Sequence, residues 1–404
     1  MTKIKLELGF PTEIIMEGKA KLMVPKLKAF VKSTSDYAPS KAPVFYNPVM
    51  ELNRDIAVLA LQAYQRIVGY EVSVCEPLAG CGIRSVRFGV EVEGIKSIVA
   101  GDISFNAVKL ALLNAQMNKL QDRIKVRHSD ANRLLGVYAS PRKRFDIIDI
   151  DPFGSPIPYV DSAIRALRNN GLIALTATDL APLCGVHSKA CIRKYGGKPL
   201  RTEYCHELAV RLLAGSLVMT AAKRDISVNV LFSHSTDHYI RLYATIKYGA
   251  EEADASIKSM GYVLHCFKCF HRELARGIFN IWHDQKCSEC GSKMDFAGPL
   301  WLGKLADKRF CDFIAEENSR RCLRLKTWIE KGVALIGNEV DAHFTYYVVD
   351  KMCDAFNLPV PSVKKVAKTL EKEGFQAVFT HFSSKGVRTD APAGKVKEAL
   401  LKNI

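Results

Sequence analysis

Apolar positions along the chain change period several times, and these changes mark out elements. Over 53–68 they recur at helical spacing, with Ile56, Leu59, Ala60 and Ala63 on one face. Short apolar or β-branched runs at 71–75, 95–100, 124–126, 145–150 and 172–177 read as strands, with helices at 105–119 and 159–168 among them. Strands interleaved with helices predict a parallel sheet covered on both faces, an α/β Rossmann-like fold. Two further strands, at 228–233 and 239–246, close the pattern, the second pairing antiparallel. Ahead of it, 13–24 predicts a small hairpin around Glu17-Gly18.

The pattern shifts at Gly249. A short charged helix is expected at 250–261, two cysteine pairs follow, and 309–331 reads as one charged helix. The tail predicts a helix at 346–356, a second at 362–373 capped by Ser362, a strand at 376–382 and a return strand at 387–389. Helix, helix, hairpin is the order of a winged helix-turn-helix. The domains expected are a basic segment with the hairpin at 1–42, the Rossmann-like domain at 43–248, a cysteine-bearing region with a linking helix at 249–340, and the winged-helix-like tail at 341–404.

Charge adds a partner to this picture. The 404 residues carry a net +16. Between Pro43 and Leu180, 16 Lys/Arg face 14 Asp/Glu, so +14 of the excess lies elsewhere. Excess positive charge outside a near-neutral core points to a polyanion, RNA or DNA. The segment 187–211 holds Lys189, Arg193, Lys194, Lys198, Arg201 and Arg211 against Glu203 and Glu207, and contains Tyr195-Gly196-Gly197. It reads as a phosphate-binding loop, with a solvated helix face as the alternative. From Pro359 onward, nine Lys/Arg face four Asp/Glu. No apolar run approaches the roughly 20 residues of a spanning helix, and eight of the twelve cysteines are scattered. A soluble cytoplasmic protein with reduced thiols, no membrane association and no obligate protein partner is expected.

The candidate chemistry sits at strand ends. Glu76 leads into Pro77-Leu78-Ala79-Gly80-Cys81-Gly82-Ile83-Arg84, where Gly80 and Gly82 permit a tight turn and close approach of backbone to a ligand. Twenty residues past Gly82, Asp102 follows the next strand, the place of a ribose-binding carboxylate. A nicotinamide dinucleotide would favour a third glycine, where Ser85 stands, and would find Glu76 poor company for its pyrophosphate. S-adenosylmethionine, with a sulfonium and an ammonium, suits an acidic neighbour. Asp130 can accept from an adenine amine while the Ala131 backbone N–H donates to a ring nitrogen. Asp130 can equally cap the helix that follows. Arg54 and Arg84 can each fork onto the methionine carboxylate.

The fourth strand ends in Asp149-Ile150-Asp151-Pro152-Phe153-Gly154. A base amine is a poor nucleophile because its lone pair is delocalised into the ring. A carboxylate such as Asp151 accepting from that amine helps localise the pair and can take the released proton. Pro152 directs a backbone carbonyl at the amine, and Phe153 can stack on the base. Asp149, one strand period away, points to the same face but lies deeper. Cys266, Cys269, Cys287 and Cys290 form two Cys-x-x-Cys pairs separated by 17 residues, a zinc-ribbon spacing with a closed, structural site of four thiolates. His265, His271 and His283 are alternative ligands.

Further motifs run in order along the chain: Phe45-Tyr46-Asn47-Pro48, Asn53-Arg54-Asp55, Gly82-Ile83-Arg84, Asp151-Pro152-Phe153-Gly154-Ser155-Pro156, Thr176-Ala177-Thr178-Asp179, Ala181-Pro182-Leu183-Cys184-Gly185, Gly298-Pro299-Leu300-Trp301-Leu302-Gly303 and Thr380-His381-Phe382. Together they resemble one known family, that of tRNA (guanine-26, N2)-dimethyltransferases. The resemblance implies a class I methyltransferase domain and methylation of the N2 amine of guanine 26 in tRNA. It implies S-adenosylmethionine held by Arg54, Arg84, Asp102, Asp130 and the Ala131 backbone, Asp151 as catalytic carboxylate, Phe45 and Phe153 beside the base, and a tRNA-binding tail. Some members also modify the neighbouring nucleotide. Another exocyclic base amine in RNA is the alternative target.

Overall fold

The computed structural model describes residues 8–31, 38–279 and 285–404; His283 lies outside them. The chain forms two compact units. The first is Met1–Pro152, Tyr159–Leu175 and Phe313–Glu330; the second is Phe153–Pro158, Thr176–Asp312 and Lys331–Ile404.

In the first unit, β1 (Thr12–Glu17) and β2 (Ala20–Pro25) form the expected antiparallel hairpin. Then come β3 (Val72–Glu76), β4 (Ile95–Asp102), β5 (Ile124–His128), β6 (Phe145–Ile150) and β7 (Leu167–Ala177), whose last two residues belong to the second unit. They pair in parallel in the order β5-β4-β3-β6-β7. Every residue of β6 is buried, as befits a strand with both faces covered. The order reverses between β3 and β6, so their carboxyl ends flank the crevice where a doubly wound sheet takes its ligand. The helices are Glu51–Val68, Ile83–Glu91, Phe105–Met117, Ala131–Val137 and Ile157–Ala166. Gly69 ends the first of these in the left-handed region, at φ 72°.

The hairpin is fastened by side chains rather than by sheet extension. Asn114 accepts from Met23 N at 2.7 Å and donates from Nδ2 to Met23 O and Cys81 O, both at 2.9 Å. Asn118 makes the matching pair with Lys21. Glu17, 4% exposed, closes a buried ionic cluster. Its carboxylate takes the Arg54 fork through two bonds of 2.6 Å, and Arg87 bridges Glu17, Asp55 and Glu91. The two acids respond oppositely. Burial raises the Glu17 carboxyl, but Arg54 and Arg87 outweigh it and hold the group below its usual range. Burial wins at Asp55, which is pushed up to about 6 despite Arg87. The predicted helix over 309–331 is instead two, Lys308–Ser319 and Lys326–Glu339. The corner between them is pinned where Arg321 donates to Glu91 O at 2.7 Å and Arg324 pairs with Glu51.

In the second unit, β8 (Ile226–Thr236) and β9 (Tyr239–Tyr248) pair antiparallel. Helix Ala250–Lys258 is shorter than predicted, because the chain enters β10 (Met260–His265) immediately afterwards. With β11 (Arg272–Arg276) and β12 (Asp295–Trp301), β10 forms an antiparallel sheet ordered β11-β10-β12. The tail is winged-helix-like. It comprises β13 (Tyr347–Val348), helices Val349–Phe356 and Val363–Lys372, β14 (Ala377–Thr380), β15 (Ser383–Thr389) and helix Ala393–Leu401. The tail departs from the expected pattern in three places. The first tail helix begins at Val349, because Tyr347 and Val348 pair with β15. Ser362 occupies the N-cap but makes no side-chain capping bond. The last helix has no counterpart in the expected order; its Val396, Ala399 and Leu400 complete a core with Met352, Val366 and Leu370. Helix Cys205–Ala222 is long and apolar enough, by length and composition, to cross a membrane, yet 72% of it is buried inside the protein.

Candidate active site

The turn after β3 has the geometry its glycines predict. Gly80 and Gly82 take φ +54° and +75°. A Cβ on Gly82 would lie 2.8 Å from Ala111 Cβ, so helix Phe105–Met117 leaves room only for glycine. Asp102, at the end of β4, accepts from Gly80 N and Ser104 N, both at 2.8 Å. The carboxylate predicted for ribose is therefore anchored to the glycine turn, one oxygen to each N–H, and each oxygen keeps a lone-pair direction for a further donor. Asp130 is the N-cap of helix Ala131–Val137 and accepts from Arg133 N at 3.0 Å. The helix starts at Ala131, so the Ala131 N–H is among those a helix leaves without an internal partner.

Glu76 differs from its expected setting. It is 2% exposed and lies under the turn, accepting from Ser85 N at 2.9 Å and from the Ser85 hydroxyl. Burial, with Asp149 and Asp151 nearby, pushes its carboxyl up to about 8 against the pull of Ser85 and Arg84. Its place is at the base of the turn, capping helix Ile83–Glu91.

The two arginines also depart from expectation. The Arg54 fork is held by Glu17, and Arg54 Nη1 donates to Asn47 O at 3.1 Å. Arg84, 3% exposed, donates to Asp151 Oδ2 from Nε at 2.8 Å and from Nη2 at 2.7 Å, and reaches Asn53 Oδ1 at 2.5 Å. Asp149 Oδ2 lies 3.7 Å from Arg84 Nη1. Asp149 is fully buried while the Asp151 side chain is 22% exposed. Asp149 thus lies deeper than Asp151, as the strand period predicts. Sequence reading misses Asn53 and Glu17. Asn53 stands beside Arg54 in a recognised motif, but nothing local signals Glu17, 37 residues away. Phe45 is partly buried, with its carbonyl 3.5 Å from the position of a Gly80 Cβ.

In the second unit, Phe153 is 71% exposed. The loop after it is fixed by Gly154, at φ +77°, whose N donates to Thr178 Oγ1 at 2.8 Å while Thr178 N donates back to Gly154 O at 2.9 Å. In the basic segment 187–211, Ser188–Tyr195 form a helix rather than a loop, and Gly196 at φ 73° is its left-handed cap. Lys194 pairs with Asp179, Lys198 with Asp295, and Arg211, 5% exposed, with Glu207. Lys189, Arg193 and Arg201 remain exposed. In the tail, Arg388 is buried between Glu207 and Glu339, whereas Lys364, Lys365, Lys368 and Lys372 lie exposed on one helix.

The four predicted cysteines converge. Cys266 Sγ lies 3.5 Å from Cys290 Sγ, Cys269 Sγ lies 3.5 Å from Cys287 Sγ, and all four sulfurs fall within 4.8 Å of one another. A tetrahedron with zinc–sulfur distances near 2.3 Å has edges of about 3.8 Å, so this donor set fits the ion. Neither described histidine joins it. His271 pairs with Glu273 and Glu289, and His265 packs edge-on against Tyr204 and Phe267.

The chain is similar to several known proteins. The family model described as N2,N2-dimethylguanosine tRNA methyltransferase matches residues 18–401. A tRNA (guanine(26)-N(2))-dimethyltransferase of Methanobrevibacter smithii is 41% identical over 97% of this chain and 97% of its own. A tRNA (guanine(26)-N(2)/guanine(27)-N(2))-dimethyltransferase of Aquifex aeolicus is 36% identical over 94% and 93%. The solved complex of Trm1 from Pyrococcus horikoshii with S-adenosyl-L-methionine matches with a TM-score of 0.83 at 32% identity, covering 96% of this chain and 99% of that one.

Proposed function

The chain belongs to the N2,N2-dimethylguanosine tRNA methyltransferase family, and from that premise we propose that it transfers methyl groups from S-adenosyl-L-methionine to the N2 amine of guanine at tRNA position 26. The observation that carries the reading is Asp151: a part-exposed carboxylate at the β6 end, held from behind by Arg84, beside the glycine turn of β3.

The cofactor supplies an electrophilic methyl group on a sulfonium. Asp102 binds the ribose hydroxyls, and Asp130 with the Ala131 N–H reads the adenine. Gly80 and Gly82 let backbone approach the ligand, and Glu76 fixes the turn from below. Arg54 and Arg84, each already paired with an acid, lend positive potential toward the methionine carboxylate rather than a free fork. Asp151 accepts a hydrogen bond from the guanine amine, concentrates electron density on N2 and takes the proton released as the new bond forms. Arg84 positions it. The family resemblance makes Phe45 and Phe153 neighbours of the base, which leaves its stack to be methylated. Zinc held by Cys266, Cys269, Cys287 and Cys290 is structural, since four thiolates leave no open position. The lysines of helix Val363–Lys372 and exposed Lys189, Arg193 and Arg201 contact tRNA phosphates. The twelve cysteines are all free, which suits a cytoplasmic setting.

The test is incubation of unmodified tRNA with labelled methyl donor, followed by mapping of modified nucleotides by mass spectrometry. Label in N2-methylguanine and N2,N2-dimethylguanine at position 26 is expected. Label confined to another base, or none, would refute the assignment.

A further inference from the structure

One stretch named by the sequence motifs, Ala181-Pro182-Leu183-Cys184-Gly185, has no part in methyl transfer as described. The second unit folds it against the start of helix Cys205–Ala222. The approach is close at Gly185, at φ +89°, where a Cβ would lie 2.7 Å from Arg201 N and 2.9 Å from the Leu200 carbonyl carbon. Only glycine permits two backbone segments to pass so tightly. The result places Cys184 next to Cys205 and His206. One donor atom from each, two sulfurs and an imidazole nitrogen, lie within 4.8 Å of one another. Among the described residues this is the one group of metal-ligating side chains besides the ribbon cysteines. Both cysteines are free thiols, and Cys205 and His206 are only partly buried, which leaves an entry path.

We propose that Cys184, Cys205 and His206 form a second metal site for a thiophilic divalent cation, zinc in the cell. Two sulfurs and one imidazole are the protein ligands of an open zinc site, in which water takes the fourth position. With zinc–sulfur bonds near 2.3 Å and a zinc–nitrogen bond near 2.0 Å, the ligand atoms of a tetrahedron are about 3.5–3.8 Å apart. Closing the group onto an ion therefore takes side-chain movement of at most roughly an ångström. Binding displaces the two thiol protons to solvent and leaves His206 neutral, so the site carries no net added charge. The ion ties the segment that follows Thr178, and hence the partner of the Gly154 loop, to the N-terminus of helix Cys205–Ala222.

The test counts zinc. Full-length protein from zinc-replete cells is freed of loose metal by gel filtration, and zinc per chain is measured by mass spectrometry. The wild type should hold one zinc more than Cys184→Ala and one more than His206→Ala. The difference reads this site, and the residual zinc in the variants reads the ribbon, so the two assignments fail separately. Cobalt(II) substitution should show a thiolate-to-cobalt absorption band in the wild type that loses intensity in both variants. Far-UV circular dichroism and donor binding check that the variants fold; His206, only partly buried, is a milder change than Cys184, which is 8% exposed. Equal zinc in the wild type and a folded His206→Ala variant overturns the proposal. So does an intact mass 2 Da low under non-reducing conditions, with a Cys184–Cys205 disulfide mapped by peptide analysis.

Discussion

Replacing Asp151 with asparagine separates the chemistry of that carboxylate from its packing. Asparagine keeps an oxygen that can accept from Arg84, now at 2.7–2.8 Å, but loses the charge and the ability to take a proton. General-base assistance contributes about 10²–10⁴ in rate, or roughly 3–5 kcal/mol of barrier at about 1.4 kcal/mol per decade. The structural cost should be smaller. Stripping one member from a buried pair costs about 3–5 kcal/mol, but Asp151 is 22% exposed and Arg84 keeps Asn53 at 2.5 Å. A stability loss on the order of 1 kcal/mol is expected, near the lower part of ordinary point-mutation effects. Single-turnover transfer of labelled methyl to tRNA should fall at least about a hundredfold by the general-base figure, while calorimetric donor affinity stays within about threefold, under 1 kcal/mol. A variant retaining more than a tenth of the wild-type rate constant would refute the proton-acceptor role. Abolished donor binding would show that Asp151 mainly holds Arg84 in place. Asp149→Asn is the control: if it alone silences the enzyme, the deeper acid is the base.

Other outcomes follow from the same structure. Gly82→Ala should destabilise the first unit by about 1–3 kcal/mol through a positive φ and the Ala111 clash, whereas Gly154→Ala, with open space around its Cβ, should bear only the φ cost; paired denaturant melts compare them. Glu76 rises from 4.5 to about 8 on folding, so the native state binds the extra proton in that window and stability falls as pH climbs from 4.5 toward 8. Glu76→Gln should flatten that part of a Tm–pH profile, and an unchanged slope would discount the buried acid. Each exposed lysine of helix Val363–Lys372 changed to alanine should weaken tRNA binding and reduce the slope of log Kd against log salt by about one; an unaltered slope removes that helix from the interface. A strong chelator should extract the ribbon zinc and lower the melting temperature, with re-addition restoring it; indifference to chelation would argue for four simple thiols.

The strand–helix alternation, the glycine turn, Asp102 and the cysteine pairs are legible in the sequence because each has a short-range signature. What is not legible is who holds whom. Arg54 and Arg84 look like ligand forks, yet their partners are Glu17 and Asp151, 37 and 67 residues away, and charge pairing at that range leaves no local trace. The basic segment at 187–211 misleads for a different reason. Tyr195-Gly196-Gly197 suggests a loop, but Gly196 is a left-handed helix cap, and a C-terminal glycine signals either one. Arg211 and Arg388 count toward a phosphate clamp by charge alone; burial against Glu207 and Glu339 removes them from it.

The asparagine clasp on the hairpin has a bearing on how the chain is made. The β1–β2 ribbon leaves the ribosome well ahead of the residues that secure it, and two strands alone are marginal in water. Its anchor, Asn114, is 91 residues downstream of Met23. At about 5–20 residues per second, roughly 5–20 seconds pass before that anchor is synthesised. During that interval Glu17 also waits for the arginines that neutralise it. The ribbon is thus exposed for longer than the strands that follow it, and anything that binds nascent chains has an extended opportunity there.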